Sequence, residues 1–168
     1  YIYIYSKEKM NNENIKQVWI EKEIILENLG VRGYADLIVE LENGEVHLYD
    51  IKTMGSYQYK LKFGRTKSPN PSIHQELQLA TYGIGIKEWL GRLDGIWIFA
   101  YNKDASYLNY YQVDLEMMYA AKNFWERVDK EHQCGLPIKD KGTSPVMAWE
   151  CKYCNFLDRC DSDERKGL

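Results

Sequence analysis

The stretch LYDIKT at positions 48–53 places an aspartate and a lysine at alternate positions among residues that favour β-strands. Successive side chains of a strand point to opposite faces, so Asp50 and Lys52 share one face of the sheet. A carboxylate beside an ammonium group could hold a divalent cation and stabilise developing negative charge. Taken alone, the same pattern also fits a solvated surface pair, because exposed charges are common.

A second carboxylate, that of Asp36, comes close to Asp50 if the two strands form a hairpin. The Asn-Gly dipeptide at 43–44 between them is a strong turn signal. A two-residue loop would place Asp36 opposite Ile51 and send the two carboxylates to different faces. A three-residue loop with its glycine in the left-handed conformation would instead pair Asp36 directly with Asp50. We favour the second register because it also pairs apolar residues better.

Two carboxylates that face each other across a sheet repel, since their β-carbons are about 4.5–5.5 Å apart. A divalent cation resolves this repulsion. A hard ion such as Mg²⁺ takes oxygen ligands at about 2.0–2.1 Å, so one ion can bridge Asp36 and Asp50. Lys52 could then stabilise a metal-activated hydroxide or a developing negative charge. The hairpin therefore predicts a hydrolytic metal site.

A polar stripe lies on the next predicted element, a helix over Ile73–Leu90 that follows a Ser-x-x-Gln capping box at 72–75. His74, Gln78 and Tyr82 are spaced four residues apart and therefore share one face of this helix. Polar stripes usually face solvent, and Tyr82 also fits a half-buried core position. The stripe is nevertheless suited to lie beside the acidic site.

The pattern of the whole chain predicts an α/β fold with a mixed sheet flanked by helices. The chain has 168 residues, which suits one domain. The segment 54–71 is punctuated by Gly, Pro, Ser and Asn and is predicted to be a loop, and so is the cysteine-rich tail. The remaining predicted elements are strands at 17–27, 31–41, 46–53, 94–104 and 108–116, and helices at 73–90 and 115–132.

The charge balance does not indicate a broad nucleic-acid surface, because 22 basic residues are outnumbered by 25 acidic ones. A partner of that kind would require a local basic patch. The best candidate is YQYKLKFGRTK, where Lys60, Lys62, Arg65 and Lys67 alternate with aromatic residues that could stack on bases. An ordinary solvated loop explains the same charges equally well.

Three cysteines crowd into the C-terminal tail as C-x₂-C-x₅-C, formed by Cys151, Cys154 and Cys160, and Cys134 precedes them. Clustered cysteines without a secretory signal favour metal or cluster binding over disulfides. Thiolates suit either tetrahedral zinc or an iron–sulfur cluster. No apolar run is long enough to span a membrane, so we expect an intracellular, cytoplasmic protein.

Three segments taken together resemble the RecB-like branch of the PD-(D/E)xK nuclease superfamily. They are GYAD (Gly33–Asp36), YDIKT (Tyr49–Thr53) and QLATY (Gln78–Tyr82). They match a G-x-x-D strand, a D-x-K strand and a helix bearing Q-x-x-x-Y, in that order. The resemblance runs from about Gln17 to Cys160. It implies a restriction-endonuclease-like core in residues 1–150, with an N-terminal helical part that this sequence lacks.

The resemblance also assigns roles to the residues of these motifs. It implies that Asp36, Asp50 and the backbone carbonyl of Ile51 bind a catalytic Mg²⁺ or Mn²⁺. Lys52 would position or polarise the attacking water. The Q-x-x-x-Y pair, Gln78 and Tyr82, would orient the lysine, the water or the scissile phosphate, and His74 would contact DNA.

The cysteine tail, residues 151–168, is similar to that of the cluster-binding subset of this branch, which includes CRISPR-associated and helicase-associated nucleases. In that subset three C-terminal cysteines and one cysteine ahead of the core hold a [4Fe-4S] cluster. This sequence has no cysteine ahead of the core, so Cys134 or an upstream residue would complete the set. Zinc is the alternative metal.

The resemblance implies a metal-dependent DNA nuclease, an exonuclease acting on single-stranded ends, in recombination, repair or phage DNA processing. A helicase or another recombination or CRISPR protein is the expected partner besides DNA. The alternative is a catalytically inactive module that binds DNA or a protein partner through its cysteine site.

Overall fold

The computed structural model describes residues 15–64, 72–135 and 148–165. Five strands form one sheet in the order in which they occur in the chain. The third and fourth strands are parallel and the other neighbours are antiparallel, so the predicted mixed sheet flanked by helices is confirmed. The strands are β1 (Ile15–Leu26), β2 (Val31–Leu41), β3 (Val46–Met54), β4 (Gly95–Asn102) and β5 (Tyr107–Val113). The helices are α1 (Ser56–Phe63), α2 (Ile73–Leu90), α3 (Met117–Gln133), α4 (Ala148–Cys151) and α5 (Leu157–Arg165).

Helix α2 packs on one face of the sheet. It lies in the crossover from β3 to β4, a connection that this pair of strands needs because it is parallel. Its residues Leu79 and Ile86 are fully buried. They pack against apolar side chains of β2, β3 and β4 that are also fully buried, namely Ile38, Leu48, Ile96 and Ile98. The polar stripe of α2 is therefore held at a fixed distance from the sheet.

The hairpin between β2 and β3 has the register that the sequence favoured. Ile38 pairs with Leu48 and Leu37 pairs with Tyr49. Gly44 closes the three-residue loop in the left-handed conformation, with φ of 83°. Its N–H donates to the Leu41 carbonyl at 2.9 Å. The turn chemistry and the pairing of apolar residues thus predicted which residues of the two strands meet.

Strand β2 changes face next to Asp36. Ala35 and Ile38 both pack into the core under α2, although they are three residues apart. Side chains of a regular strand alternate, so two residues with this spacing should lie on opposite faces. The alternation is therefore broken between them, and Asp36 lies at the break.

Strand β1 is broken at the matching place. Trp19 and Ile24 also pack against that same core, although their spacing of five should put them on opposite faces. Glu21 lies between them with φ of 50°, a conformation that costs energy for any residue with a side chain. The register places Glu21 directly opposite Asp36, since the flanking pairs are Lys22–Ala35 and Ile20–Leu37.

Two loop predictions were wrong. The segment predicted as a loop over 54–71 contains α1, and the tail contains α4 and α5. The Ser56 N–H at the start of α1 donates to Asp104 Oδ2 at 2.6 Å, a long-range cap that local sequence does not reveal. The predicted capping box before α2 is also wrong, because the Ser72 side chain makes no capping hydrogen bond. None of the helices in the described ranges is long and apolar enough to cross a membrane.

Replacing Glu21 with glycine is expected to give a more stable protein than replacing it with alanine, by roughly 1 kcal/mol. Glycine adopts positive φ without the steric cost that a β-carbon adds. Chemical denaturation of both variants measures the difference. At Ile25, a regular exposed position of the same strand, the order should reverse, because glycine is the poorer strand residue. Equal stability of the two Glu21 variants would contradict the left-handed conformation.

Candidate active site

Asp36 takes the place of a backbone acceptor where β2 and β3 separate. The ladder between these strands ends at the pair Leu37–Tyr49. If the ladder continued, the next hydrogen-bonded pair would be Ala35–Ile51, and the Ile51 N–H would donate to the Ala35 carbonyl. Instead the Ile51 N–H donates to Asp36 Oδ2 at 2.9 Å. The expected direct pairing of Asp36 with Asp50 is therefore not formed. The carboxylate lies in the gap between the strands because β2 is broken there.

The carboxylate of Asp50 is the most buried charged group of this region, with 3% of the residue exposed. Burial raises its pKa, hydrogen bonding to Lys52 opposes that rise, and the nearby negative charge of Asp36 adds to it. The charge of Asp36 is thus close enough to act on Asp50. The two carboxylates therefore repel each other electrostatically, although the residues are not paired in the ladder.

Lys52 links the acidic pair to α2. Its Nζ lies 3.0 Å from Asp50 Oδ2 and donates to Oδ1 at 3.1 Å. It also donates to Gln78 Oε1 at 3.3 Å. Gln78 Nε2 in turn donates to the Tyr82 hydroxyl at 3.1 Å. Four polar residues from a strand and a helix therefore form one continuous chain of contacts.

Gly33 completes this arrangement, because the Tyr82 ring lies directly against it. A β-carbon at position 33 would be 2.5 Å from Tyr82 Cε1 and 2.7 Å from the hydroxyl oxygen. A β-carbon at this position would force the Tyr82 ring to move, so glycine is the residue that admits the tyrosine in this place. The glycine of the GYAD segment and the tyrosine of the QLATY segment are thus two halves of one contact.

The residues at the gap suit a small divalent cation. Among the described residues, Asp50 Oδ2 is a buried oxygen with the Lys52 ion pair as its recorded contact and no hydrogen bond of regular geometry. The carbonyl of Ile51 faces the same gap as its N–H, because both groups of a strand residue point to the same side. Two carboxylates and one carbonyl are the oxygen donors that Mg²⁺ or Mn²⁺ prefers, and Mg²⁺ ordinarily keeps several waters as further ligands.

Three of the five predicted DNA-contacting residues lie in the described part of the chain, on α1 and α2. Lys60 is exposed on α1, and His74 is exposed on the first turn of α2. Lys62 forms an ion pair with Glu76, at 2.8 Å, and a cation–π contact with Tyr111, with its Nζ 3.6 Å from the ring centroid. Arg65 and Lys67 lie outside the described residues. The basic segment therefore does not form one surface in the part that is described.

The cysteines are all free thiols in the structure. Cys134 is exposed at the end of α3, Cys151 ends α4, Cys154 follows it on the surface, and Cys160 is half-buried in α5. Within the described ranges, no three side chains of His, Cys, Asp or Glu are placed to share a metal ion. The cysteine cluster stays a prediction, and so does the division of the chain at 150/151, a point that falls inside α4.

Tyr111 is a neighbour of the site that the sequence did not indicate. Burial raises the pKa of its phenol above the ordinary range, and the negative charges of Glu76 and Asp50 add to the rise. Tyr111 belongs to β5, which is far from β3 in the sequence. Its neighbours in the sequence are ordinary strand residues that give no sign of a functional site. Only the fold brings this phenol towards Asp50.

A sequence model of the PD-(D/E)XK nuclease superfamily matches residues 2–161. The chain belongs to this superfamily, and its sheet and helices form the restriction-endonuclease-like fold. Nucleic acid is therefore the expected class of substrate. The crystal structure of SSO0001 is similar at 23% identity and a TM-score of 0.43, over 92% of this chain and 65% of that one. No curated protein matches the chain.

Replacing Asp50 with asparagine is expected to raise the stability of the metal-free protein at neutral pH. Burial lifts the pKa of this carboxyl in the folded state, so stability is lost as the pH rises through that raised pKa. The variant lacks this titration, and its advantage should grow from acidic to neutral pH. Thermal unfolding in a chelator at several pH values measures it.

The matched control for this experiment is Glu88→Gln, which neutralises an exposed carboxylate on α2 and should leave the pH dependence unchanged. A lower unfolding temperature for Asp50→Asn at neutral pH would contradict the prediction. It would mean that the ion pair with Lys52 outweighs the cost of burying the charge.

Proposed function

We propose that this protein is a metal-dependent deoxyribonuclease that hydrolyses phosphodiester bonds at the gap between β2 and β3. The observation that carries the proposal is the buried carboxylate of Asp50, whose Oδ2 is in ion-pair contact with the Lys52 ammonium, meets no hydrogen-bond criterion, and lies near a second carboxylate. A buried charge of this kind costs stability and is retained where it has chemistry to perform. Membership in the nuclease superfamily supports the same conclusion.

Asp36, Asp50 and the Ile51 carbonyl would hold the Mg²⁺ or Mn²⁺ ion. When bound, that ion lowers the pKa of water and stabilises the charge that develops on the phosphate. Among the described residues, Lys52 is the one partner recorded for the Asp50 carboxylate, and its hydrogen bond goes to Oδ1, so Oδ2 could turn to a cation while that hydrogen bond is kept. Asp36 keeps one oxygen on the Ile51 N–H, which fixes its orientation.

Lys52 would supply a positive charge to the attacking water and the phosphate. It is held from two sides, by the Asp50 carboxylate and by the Gln78 amide oxygen. Tyr82 accepts a hydrogen bond from Gln78 and so keeps the amide oxygen turned towards the lysine. A charge that is positioned before the reaction costs no reorganisation when the transition state forms.

Single-stranded DNA ends are the substrate we propose, in recombination, repair or phage DNA processing inside the cell. This part of the proposal rests on the order of the G-x-x-D, D-x-K and Q-x-x-x-Y segments, which resembles the RecB-like branch. The same resemblance supports exonuclease action and a helicase or CRISPR protein as a partner.

The cysteine tail is proposed to hold a [4Fe-4S] cluster or a zinc ion through Cys151, Cys154 and Cys160, with Cys134 or an upstream residue as the fourth ligand. The support is the C-x₂-C-x₅-C spacing alone. The absorption spectrum and metal content of anaerobically purified protein distinguish the two metals. Such a site would fasten the tail to the core and need not take part in hydrolysis.

Lys52→Met is expected to lower the rate of DNA cleavage by at least about 10²-fold, because it removes a preorganised charge from the transition state. Asp50→Asn should reduce cleavage to background. Cleavage of labelled single- and double-stranded DNA with Mg²⁺ or Mn²⁺ measures both effects. Lys103→Met is the matched control, since Lys103 is an exposed lysine in the turn between β4 and β5.

Ion binding gives a second readout that does not depend on activity. Mg²⁺ at about 100 times its Kd should stabilise the wild-type protein by about 2.7 kcal/mol and leave Asp50→Asn unaffected. A wild-type protein that binds the ion and DNA but cuts neither single- nor double-stranded DNA would favour the inactive binding module. Equal cleavage by wild type and Lys52→Met would reject the role of the lysine.

A further inference from the structure

A groove opens next to the candidate active site, between β2, α2 and α3. Its volume is about 400 Å³, within the range of roughly 300–1,000 Å³ that is usual for sites of small organic groups. Two of its lining residues, Gln78 and Tyr82, also belong to the chain of contacts that ends on Lys52. The groove is therefore continuous with the proposed hydrolytic centre.

The wall on the α3 side is aromatic and rigid. Trp125 Nε1 donates to the Thr81 hydroxyl at 2.9 Å, and that hydroxyl donates to the Leu77 carbonyl at 2.8 Å. The Phe124 and Trp125 rings meet edge to face, with centroids 5.1 Å apart, and the Arg127 guanidinium carbon lies 5.4 Å from the centroid of the Phe124 ring. Both aromatic residues are half-buried. The hydrogen bond to Thr81 fixes Trp125, and the contacts with Trp125 and Arg127 in turn position the Phe124 ring.

Two side chains that can donate hydrogen bonds lie at the rim. Arg32 and His74 are exposed residues that line the groove. The Arg32 Nε donates to Glu23 at 2.6 Å, which orients the guanidinium group. Glu150 of α4 also lines the groove and carries the opposite charge. The rim thus offers contacts to a phosphate on the β2 and α2 sides, and a carboxylate that could accept hydrogen bonds from a base.

We propose that this groove receives one unpaired base of the DNA substrate, next to the phosphate that is cleaved, with the ring of Phe124 as its stacking surface. The proposal rests on the proposed nuclease function and specifies the substrate contact that this function lacks. Aromatic rings bind bases of any sequence, because each base has a π-face.

The chemistry of the groove predicts a preference for single strands. A base inside a duplex presents only its edges to a protein, since its faces are stacked on its neighbours. A base can therefore reach Phe124 only from a single strand, a frayed end or a flipped position. The stacking contact would contribute about 1–3 kcal/mol, which corresponds to a change in affinity of roughly 5- to 150-fold.

The test uses Phe124→Ala and the milder Phe124→Leu, which keeps apolar volume but removes the aromatic face. Both should weaken binding of a short single-stranded oligonucleotide by about 5-fold or more in the absence of Mg²⁺. Phe124→Trp keeps an aromatic face and should bind the oligonucleotide as tightly as the wild type. Binding of a blunt duplex should not change. Tyr119→Ala is the matched control, because Tyr119 is an aromatic residue on the same helix that is 73% exposed.

A spectroscopic readout separates stacking from a merely structural effect. A 2-aminopurine base in the oligonucleotide should be quenched on binding to wild type and to Phe124→Trp, and should remain bright on Phe124→Leu. Thermal unfolding checks that each variant is folded. Unchanged affinity and quenching in both folded Phe124→Leu and Phe124→Ala would overturn the inference.

The outcomes for the groove and for the nuclease are distinguishable. If cleavage is lost in Lys52→Met but single-strand binding is unchanged in the Phe124 variants, the base-binding role of the groove is rejected and the nuclease function is supported. If single-strand binding is weakened in the Phe124 variants but the wild type cleaves no DNA, the nuclease function is rejected and the base-binding role of the groove is supported. Loss of duplex binding together with single-strand binding would also overturn the inference, because the ring would then have no selective contact with an unpaired base.

Discussion

The cost of burying the charge of Asp50 is the constraint on which the site depends. A carboxylate that is 3% exposed needs a partner, and Lys52 provides one at 3.0 Å. The partner does not satisfy it fully, since burial still raises the pKa of the acid and Asp36 adds a like charge. The fold thus holds two negative groups together with only one cation among the described residues in contact with them. Binding of a divalent ion, as proposed above, would relieve this imbalance.

The paired breaks in β1 and β2 show how the sheet creates the site. A regular ladder would close the space between β2 and β3 with backbone hydrogen bonds. The break at Asp36, supported by the left-handed Glu21 opposite it, lets a carboxylate replace the backbone acceptor. Strain at a non-glycine residue is tolerated where the surrounding structure enforces it, and such strain is often found at functional sites.

The sequence predicted those parts of the site that depend on local chemistry. The Asn-Gly turn and the pairing of apolar residues together predicted the hairpin register, and helical periodicity placed Gln78 and Tyr82 on one face of α2, whose predicted bounds were correct. The break at Asp36 could not be predicted, because Glu21 is not a glycine and nothing local indicates its conformation. The same limit applies to α1, whose start is capped by Asp104 from a distant turn.

Long-range contacts also explain why the neighbours of the site were missed. Lys62 looked like a free surface cation in the sequence, yet Glu76 and the Tyr111 ring engage it in the fold. No sequence motif included Phe124 and Trp125, which line the groove from α3. Helix α2 unites these observations, because one of its faces is buried in the core and another carries Gln78 and Tyr82 between the acidic centre and the aromatic groove.

The most direct measurement is a crystal structure of the protein with Mn²⁺, with the ion located by its anomalous scattering. The account predicts one strong peak in the gap between β2 and β3, within coordination distance of a carboxylate oxygen of Asp36, Oδ2 of Asp50 and the carbonyl oxygen of Ile51. An ion bound elsewhere, or one held without Asp50 while that carboxylate stays paired with Lys52, would contradict it.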